Sequence, residues 1–361
     1  MEAQVKTVVK DVAGKDLCDV YAVGISPDNR RLVVVSKENI SIVNTQTGEV
    51  LREHPRTVAA GSTGEIHAVN FSPDGVYVIL AAKNKTAYVL DSRTCSCWLH
   101  LAGVHAGAIL DASFSSDGAL VVLASADGTA STYKWSARAD ELQFHLKHDK
   151  TGDKPCHTAA INAASFSPDC GRLVLGSSDM TASIWDVRTG ELLRHFKDNG
   201  HRGAILAAAF SPHGTWIVLG SADGKASGVD ASGQKPPDAE DVTDQYWIRD
   251  YNSGEISAAR FSPDGARVVL SCKGMALVVD AYGDGCRVVT AAEKSVLMEH
   301  GGPVLDAFFS PDGRRVVTVS ETSVSLTTLQ VRLFHHRHPS PRPAACLACI
   351  LHDDITMCHS F

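Results

Sequence analysis

The residues with the greatest chemical potential in this 361-residue chain are 16 histidines, 10 cysteines and 41 Asp+Glu set against 34 Lys+Arg. Thiolates and imidazoles at short spacing are zinc ligands. Cys346 and Cys349 form C-x-x-C, with His352, Cys358 and His359 downstream. Structural zinc, however, is held by two well-separated ligand pairs around a folded knuckle, which this stretch lacks. Nucleophilic and phosphate chemistry leave firmer phrases. The chain has no H-E-x-x-H, no G-x-x-x-x-G-K-[ST] and no G-x-S-x-G, and Gly283-Asp284-Gly285 does not extend to G-x-G-x-x-G. No catalytic residue, metal or cofactor is therefore nominated, and the expectation is a protein that is not an enzyme.

Charge and composition narrow the classes further. A formal charge of −7 argues against nucleic-acid binding, which leaves a basic footprint. No apolar run approaches the roughly 20 residues that span a bilayer, so no membrane partner is expected. The opening MEAQVKTVVKDVAGKD lacks a secretory apolar block. Scattered cysteines without such a block fit reduced thiols, and the expected location is cytoplasmic, with the nucleus as the secondary alternative.

The elements that must position any site emerge from a repeat. A short apolar stretch followed by Ser-Pro-Asp-Gly or a close variant begins at Ile25, Phe71, Phe114, Phe166, Phe210, Phe261 and Phe309. Its serines, from Ser26 to Ser310, stand 43 to 52 residues apart. Pro presets the turn, Asp caps it and Gly accepts a positive φ, so one strand enters and another leaves each copy. The leaving strands, such as RLVVVS, VYVILAA and RLVLGS, are near-continuous apolar runs, the mark of strands covered on both faces. Third strands follow near 86–90 and 182–185, and fourth strands near 142–146 and 192–196. Four strands in about 45 residues cannot bury both faces alone, so the units must stack.

The fourth unit, CHTAAINAASFSPDCGRLVLGSSDMTASIWDVRTGELL, resembles the WD40-repeat β-propellers. The resemblance spans roughly residues 15–330 and rests on seven copies. It implies an all-β, seven-bladed WD40-type propeller, four antiparallel strands per blade, with a short C-terminal appendage. It further implies a buried network of His157, Ser177, Asp179 and Trp185. Only this unit carries Trp-Asp; Leu90, Tyr133 and Val229 stand at the Trp place elsewhere. The domain reading is a propeller over 1–330 and a disordered tail over 331–361. A ring must be sealed against an exposed sheet edge. The N-terminal segment 5–9 is expected to supply the last blade's fourth strand, with 331–334 as the local alternative.

Propellers of this type imply a protein-interaction scaffold that docks peptides or domains on one face, as a monomer or within a larger complex. A narrower alternative is a substrate receptor of a cullin–RING ubiquitin ligase, whose W-D-x-R signature with a preceding acid matches Asp179, Trp185, Asp186 and Arg188. Alternating strands place the second-to-third turns and the connections between blades on one face. Lys37, Lys83, Lys85, Lys225 and Lys273 fall there, joined by Glu65, His67, His201 and Arg202. The expectation is a positive collar around the channel mouth, receiving an acidic or phosphorylated peptide.

Overall fold

A computed structural model describes residues 4–8, 19–55, 65–136, 139–146, 157–197, 200–231, 245–251, 254–281, 296–299 and 303–329. They form seven four-stranded antiparallel sheets, the blades of a β-propeller. Six blades use four consecutive strands. Their inner strands are Val20–Ile25, Ile66–Phe71, Ile109–Phe114, Ile161–Phe166, Ile205–Phe210 and Ala258–Phe261. The seventh begins with Val304–Phe309, and its outermost strand is Gln4–Val8, paired antiparallel with Val324–Thr328. The segment Val331–Phe361, a separate unit, lies outside the described residues, as do Cys346, Cys349 and the histidines around them.

Each Ser-Pro-Asp-Gly copy builds the turn from inner to second strand. In blade two, the buried Ser72 hydroxyl donates to Asp74 and accepts the Tyr77 N–H, while Asp74 accepts the Val76 N–H. Gly75 closes the turn at φ 69°. In blades one and four the same left-handed position holds Asn29 and Cys170, at φ 61° and 58°. A side chain there costs what glycine avoids.

Among the described residues no blade has a core of its own. Seven apolar clusters each lie between two neighbouring blades, the last joining blades seven and one. The period of two in the second strands explains this. Leu32 and Val34 face blade seven, whereas Val33 and Val35 face blade two. Likewise Leu173 and Leu175 face blade three, and Val174 faces blade five. Blades come so close that a Cβ on Gly176 would stand 2.8 Å from Ile205 of the next blade. The apolar runs read from the sequence are therefore shared surfaces.

A polar clamp reinforces the packing beside the Ser-Pro turns. The arginine that opens a second strand reaches the following blade. Arg31 donates to Gly75 O and Ser92, and Arg172 to Gly214 O and Ala231 O. Arg315 of blade seven donates to Asn29 O and Thr45 O of blade one, across the closure. Blade two has Tyr77 there, and its ring meets Trp135 of blade three edge-on at 5.2 Å.

Closure therefore rests on a strand, an apolar cluster and a guanidinium. Removing residues 4–8 exposes the edge of Val324–Thr328 and is expected to lower the thermal midpoint and promote association through that edge. Replacing Arg315 with Met, which keeps the stem but not the donors, should cost about 1.5–3 kcal/mol in urea unfolding. A midpoint unchanged in both variants would show that blade seven is sealed otherwise.

Candidate functional site

On the face opposite the Ser-Pro turns, three junction histidines, His105, His157 and His201, are buried at the entrances to blades three, four and five. His157 shows the full arrangement. Its Nδ1 lies 3.1 Å from Asp179 Oδ2, and its Nε2 lies 2.7 Å from Ser183 Oγ. The Trp185 indole N–H donates to that same hydroxyl at 2.8 Å. One assignment satisfies every group: Trp185 donates to Ser183, Ser183 to His157 Nε2, and His157 Nδ1–H to Asp179. Asp179 also accepts the Thr158 N–H and the Thr181 hydroxyl. Burial works to raise the Asp179 carboxyl, but bonds from His157 and Thr181 outweigh it and leave the group well below the ordinary range.

Blade five repeats this with His201, Asp223 and Ser227, and blade three with His105, Thr129 and Ser131. These histidines are fully engaged in holding junction to sheet.

The hydroxyl that completes the network is thus Ser183, a correction to the expected Ser177. Ser177 ends the second strand, accepts the Asp179 N–H and donates to Ala159 O, without touching the imidazole. A readable signal existed: Ala-Ser stands two residues before the Trp place at Ser131, Ser183 and Ser227.

The ligase-adaptor letters separate in space. Trp185 is 2% exposed. Asp179 and Arg188 lie beyond opposite ends of the strand Ala182–Asp186. Asp186 caps the next turn by accepting the Arg188 and Thr189 N–H groups, as Asp91 does for Arg93 and Thr94. Turn and network chemistry account for Asp179, Trp185 and Asp186, leaving only the exposed Arg188 side chain.

The ring encloses a central channel of about 1030 Å³, walled by the inner strands. Six of these strands carry a bulge after their first residue, as between Ile109 and Asp111. Bulges re-aim side chains, and here consecutive residues such as Leu110 and Asp111 both line the channel. Glu65 and His67 line its mouth as well, joined by Asp19 and Glu321. The lysines do not. Lys37 pairs with Asp19 at 3.8 Å and Lys83 with Glu65 at 3.1 Å, both exposed contacts of small worth. Lys85 and Lys273 stand exposed on their turns, Lys225 is half-buried beside Asp223, and the Arg202 side chain is exposed beyond its junction. The expected positive collar is thus corrected: among the described residues, acids line the mouth and the lysines sit outside it.

Deeper on the wall, Asp306 pairs with Arg260 at 3.0 Å. Asp111 accepts the N–H groups of Ala112 and of Ala164 in the next blade. Burial raises the Asp111 carboxyl above the ordinary range, against these donors and Arg260, with Asp306 adding to the rise. Among the described residues no group of three or more His, Cys, Asp or Glu is arranged to hold a metal ion.

A family model described as "WD domain, G-beta repeat" matches residues 150–186 and 190–227. The chain is similar to the guanine nucleotide-binding protein G(I)/G(S)/G(T) subunit beta-1 of Homarus americanus, 23% identical over 146 residues, 40% of each chain. It is also similar to the guanine nucleotide-binding protein subunit beta-1 of Caenorhabditis briggsae, 23% identical over 169 residues, covering 47% of this chain and 44% of that one. WD repeat-containing protein 1 of Gallus gallus is 36% identical over 70 residues, 18% of this chain and 12% of its own. The matched stretches thus span less than half the length of these relatives.

Two outcomes follow for blade four. Ser183→Ala strands both the His157 and Trp185 nitrogens and should cost about 2–4 kcal/mol in denaturant unfolding, against about 1 for Ser177→Ala. Equal costs would contradict the assignment. The acid side is set partly by His195, which burial foremost, with the neighbouring His157, lowers to about 4. Between an ordinary value of about 6.5 and that lowered one, the unfolded chain takes up a proton the folded chain refuses. Stability should therefore fall as pH drops through this window, and His195→Gln should flatten the slope measured by thermal unfolding. Below it, the depressed Asp179 carboxyl loses its contribution as it protonates.

Proposed function

We propose that this chain, a WD40-repeat β-propeller, works as a non-catalytic scaffold that docks protein or peptide partners on the face where the blade junctions and the channel mouth meet. One observation carries the reading. On that face the buried histidines are wholly engaged in the fold, while Glu65 and His67 stand exposed at the opening and Arg202 is exposed on its blade junction. Buried polar groups hold the disc rigid, and exposed polar groups on it remain for recognition. The relatives fit this use, since two are named as subunits of a guanine nucleotide-binding protein. An acidic or phosphorylated peptide would meet like charge from Asp19, Glu65 and Glu321 at the mouth. A ligase-adaptor role would rest on Arg188 alone.

The test compares the two faces. Glu65→Ala, His67→Ala and Arg202→Ala are combined in one variant, and Arg93→Ala with Arg188→Ala in another. Affinity capture from the native cell should lose the specific partners of the wild-type chain at least fivefold with the first variant and keep them with the second. The opposite pattern would move the docking site to the face of the Ser-Pro turns.

A further inference from the structure

The channel wall carries more than a rim can use. Among the described residues its charged lining is Asp19, Glu65, Asp111, Asp306 and Glu321 against Arg260. Arg260 is already committed, paired with Asp306 and lying over the Phe308 ring at 5.6 Å. Asp111 faces the same space with only backbone N–H groups on its oxygens, and a carboxylate oxygen can accept more than one donor. Two residues further along the strand, Ser113 also lines the channel, and its hydroxyl oxygen is buried with no hydrogen-bond partner among the described residues. Leucines interleave with these groups, for Leu110, Leu206 and Leu305 each follow the first residue of an inner strand and line the wall.

Acidic groups set among leucines match one chemistry: a cation on an aliphatic stem. A bare metal ion would need converging ligands, and a phosphate would be repelled. We propose that the channel receives a cationic side chain, arginine or lysine, of a partner peptide, its charged head meeting Asp111 and its stem lying along the leucines. The proposal rests on the docking reading above and names the partner chemistry of that site. Long basic side chains bury their methylenes against apolar surface while the head seeks a carboxylate. A guanidinium would gain most, because its planar fork presents several donors at once.

The probes are three fluorescein-labelled nonapeptides of glycine and serine with a central arginine, lysine or glutamate. Anisotropy titrations use the full chain at low ionic strength, where charge pairing is least screened. The arginine and lysine probes should bind at least tenfold more tightly than the glutamate probe. Asp111→Asn should weaken the arginine probe about tenfold, the worth of a charge-assisted bond. Arg260→Gln provides the opposite sign, since freeing Asp306 adds negative charge and should strengthen the arginine probe severalfold. A purely structural disturbance would weaken binding in both variants, and thermal unfolding of each verifies the fold. No measurable binding of the arginine probe, equal binding of the glutamate probe, or weaker binding by Arg260→Gln would overturn the proposal. Partner capture separates this from the docking reading. Loss with the mouth variant but not with Asp111→Asn removes the cation and leaves the docking face standing; retention in both removes the docking face.

Discussion

A four-stranded sheet with two apolar faces and no layer of its own to cover them is the constraint from which the rest of this molecule follows. Each second strand divides its side chains, alternate residues going to the blade before and the blade after, as Val33 and Leu32 do. Every blade therefore needs two neighbours, and only a closed ring gives every blade both. The seventh blade takes its outermost strand from residues 4–8, far away in sequence, and Arg315 ties it to blade one. The channel is a by-product of the same constraint, since seven inner strands set side by side around one axis cannot all meet at it.

Much of this was legible because turns are local chemistry. The Ser-Pro-Asp-Gly phrase declares its own geometry, and seven copies at regular spacing declare a repeat. The closing strand was legible as the preferred of two candidates, residues 5–9 and 331–334, from a last unit short of an edge. What the sequence hides is each feature settled between distant residues. The arginines opening RLVVVS and RLVLGS stood in plain sight, but nothing local says that they reach into the next blade. Ser183, not Ser177, completes the network because the hydroxyl that bridges His157 to Trp185 is chosen by the third strand's facing, two residues from the indole. The sign of the channel mouth is hidden from the sequence for a related reason. Lysines on turns are visible in sequence, whereas their pairing with Asp19 and Glu65, and the inward aim of those acids, depends on how junctions and turns pack.

The division of polar labour gives the functional account its shape. Buried His105, His157 and His201 look like candidates for chemistry when counted, yet each is engaged on both ring nitrogens in holding a junction against its own sheet. What remains exposed is a charged mouth leading to a channel with its own carboxylates. Rigid junctions and a fixed wall favour recognition without rearrangement, the behaviour of a pre-organised docking surface.

The central claim is that no blade is stable alone and that the closed ring unfolds as one unit. Native-state hydrogen exchange followed by mass spectrometry across a urea series tests it most directly. The account expects the amides of the seven inner strands, and those of Val324–Thr328, to converge on one opening free energy and one denaturant dependence. Early, separate exchange of blade seven, with the other six retaining protection, would contradict it, because the ring would then be held by its individual blades rather than by the cores between them.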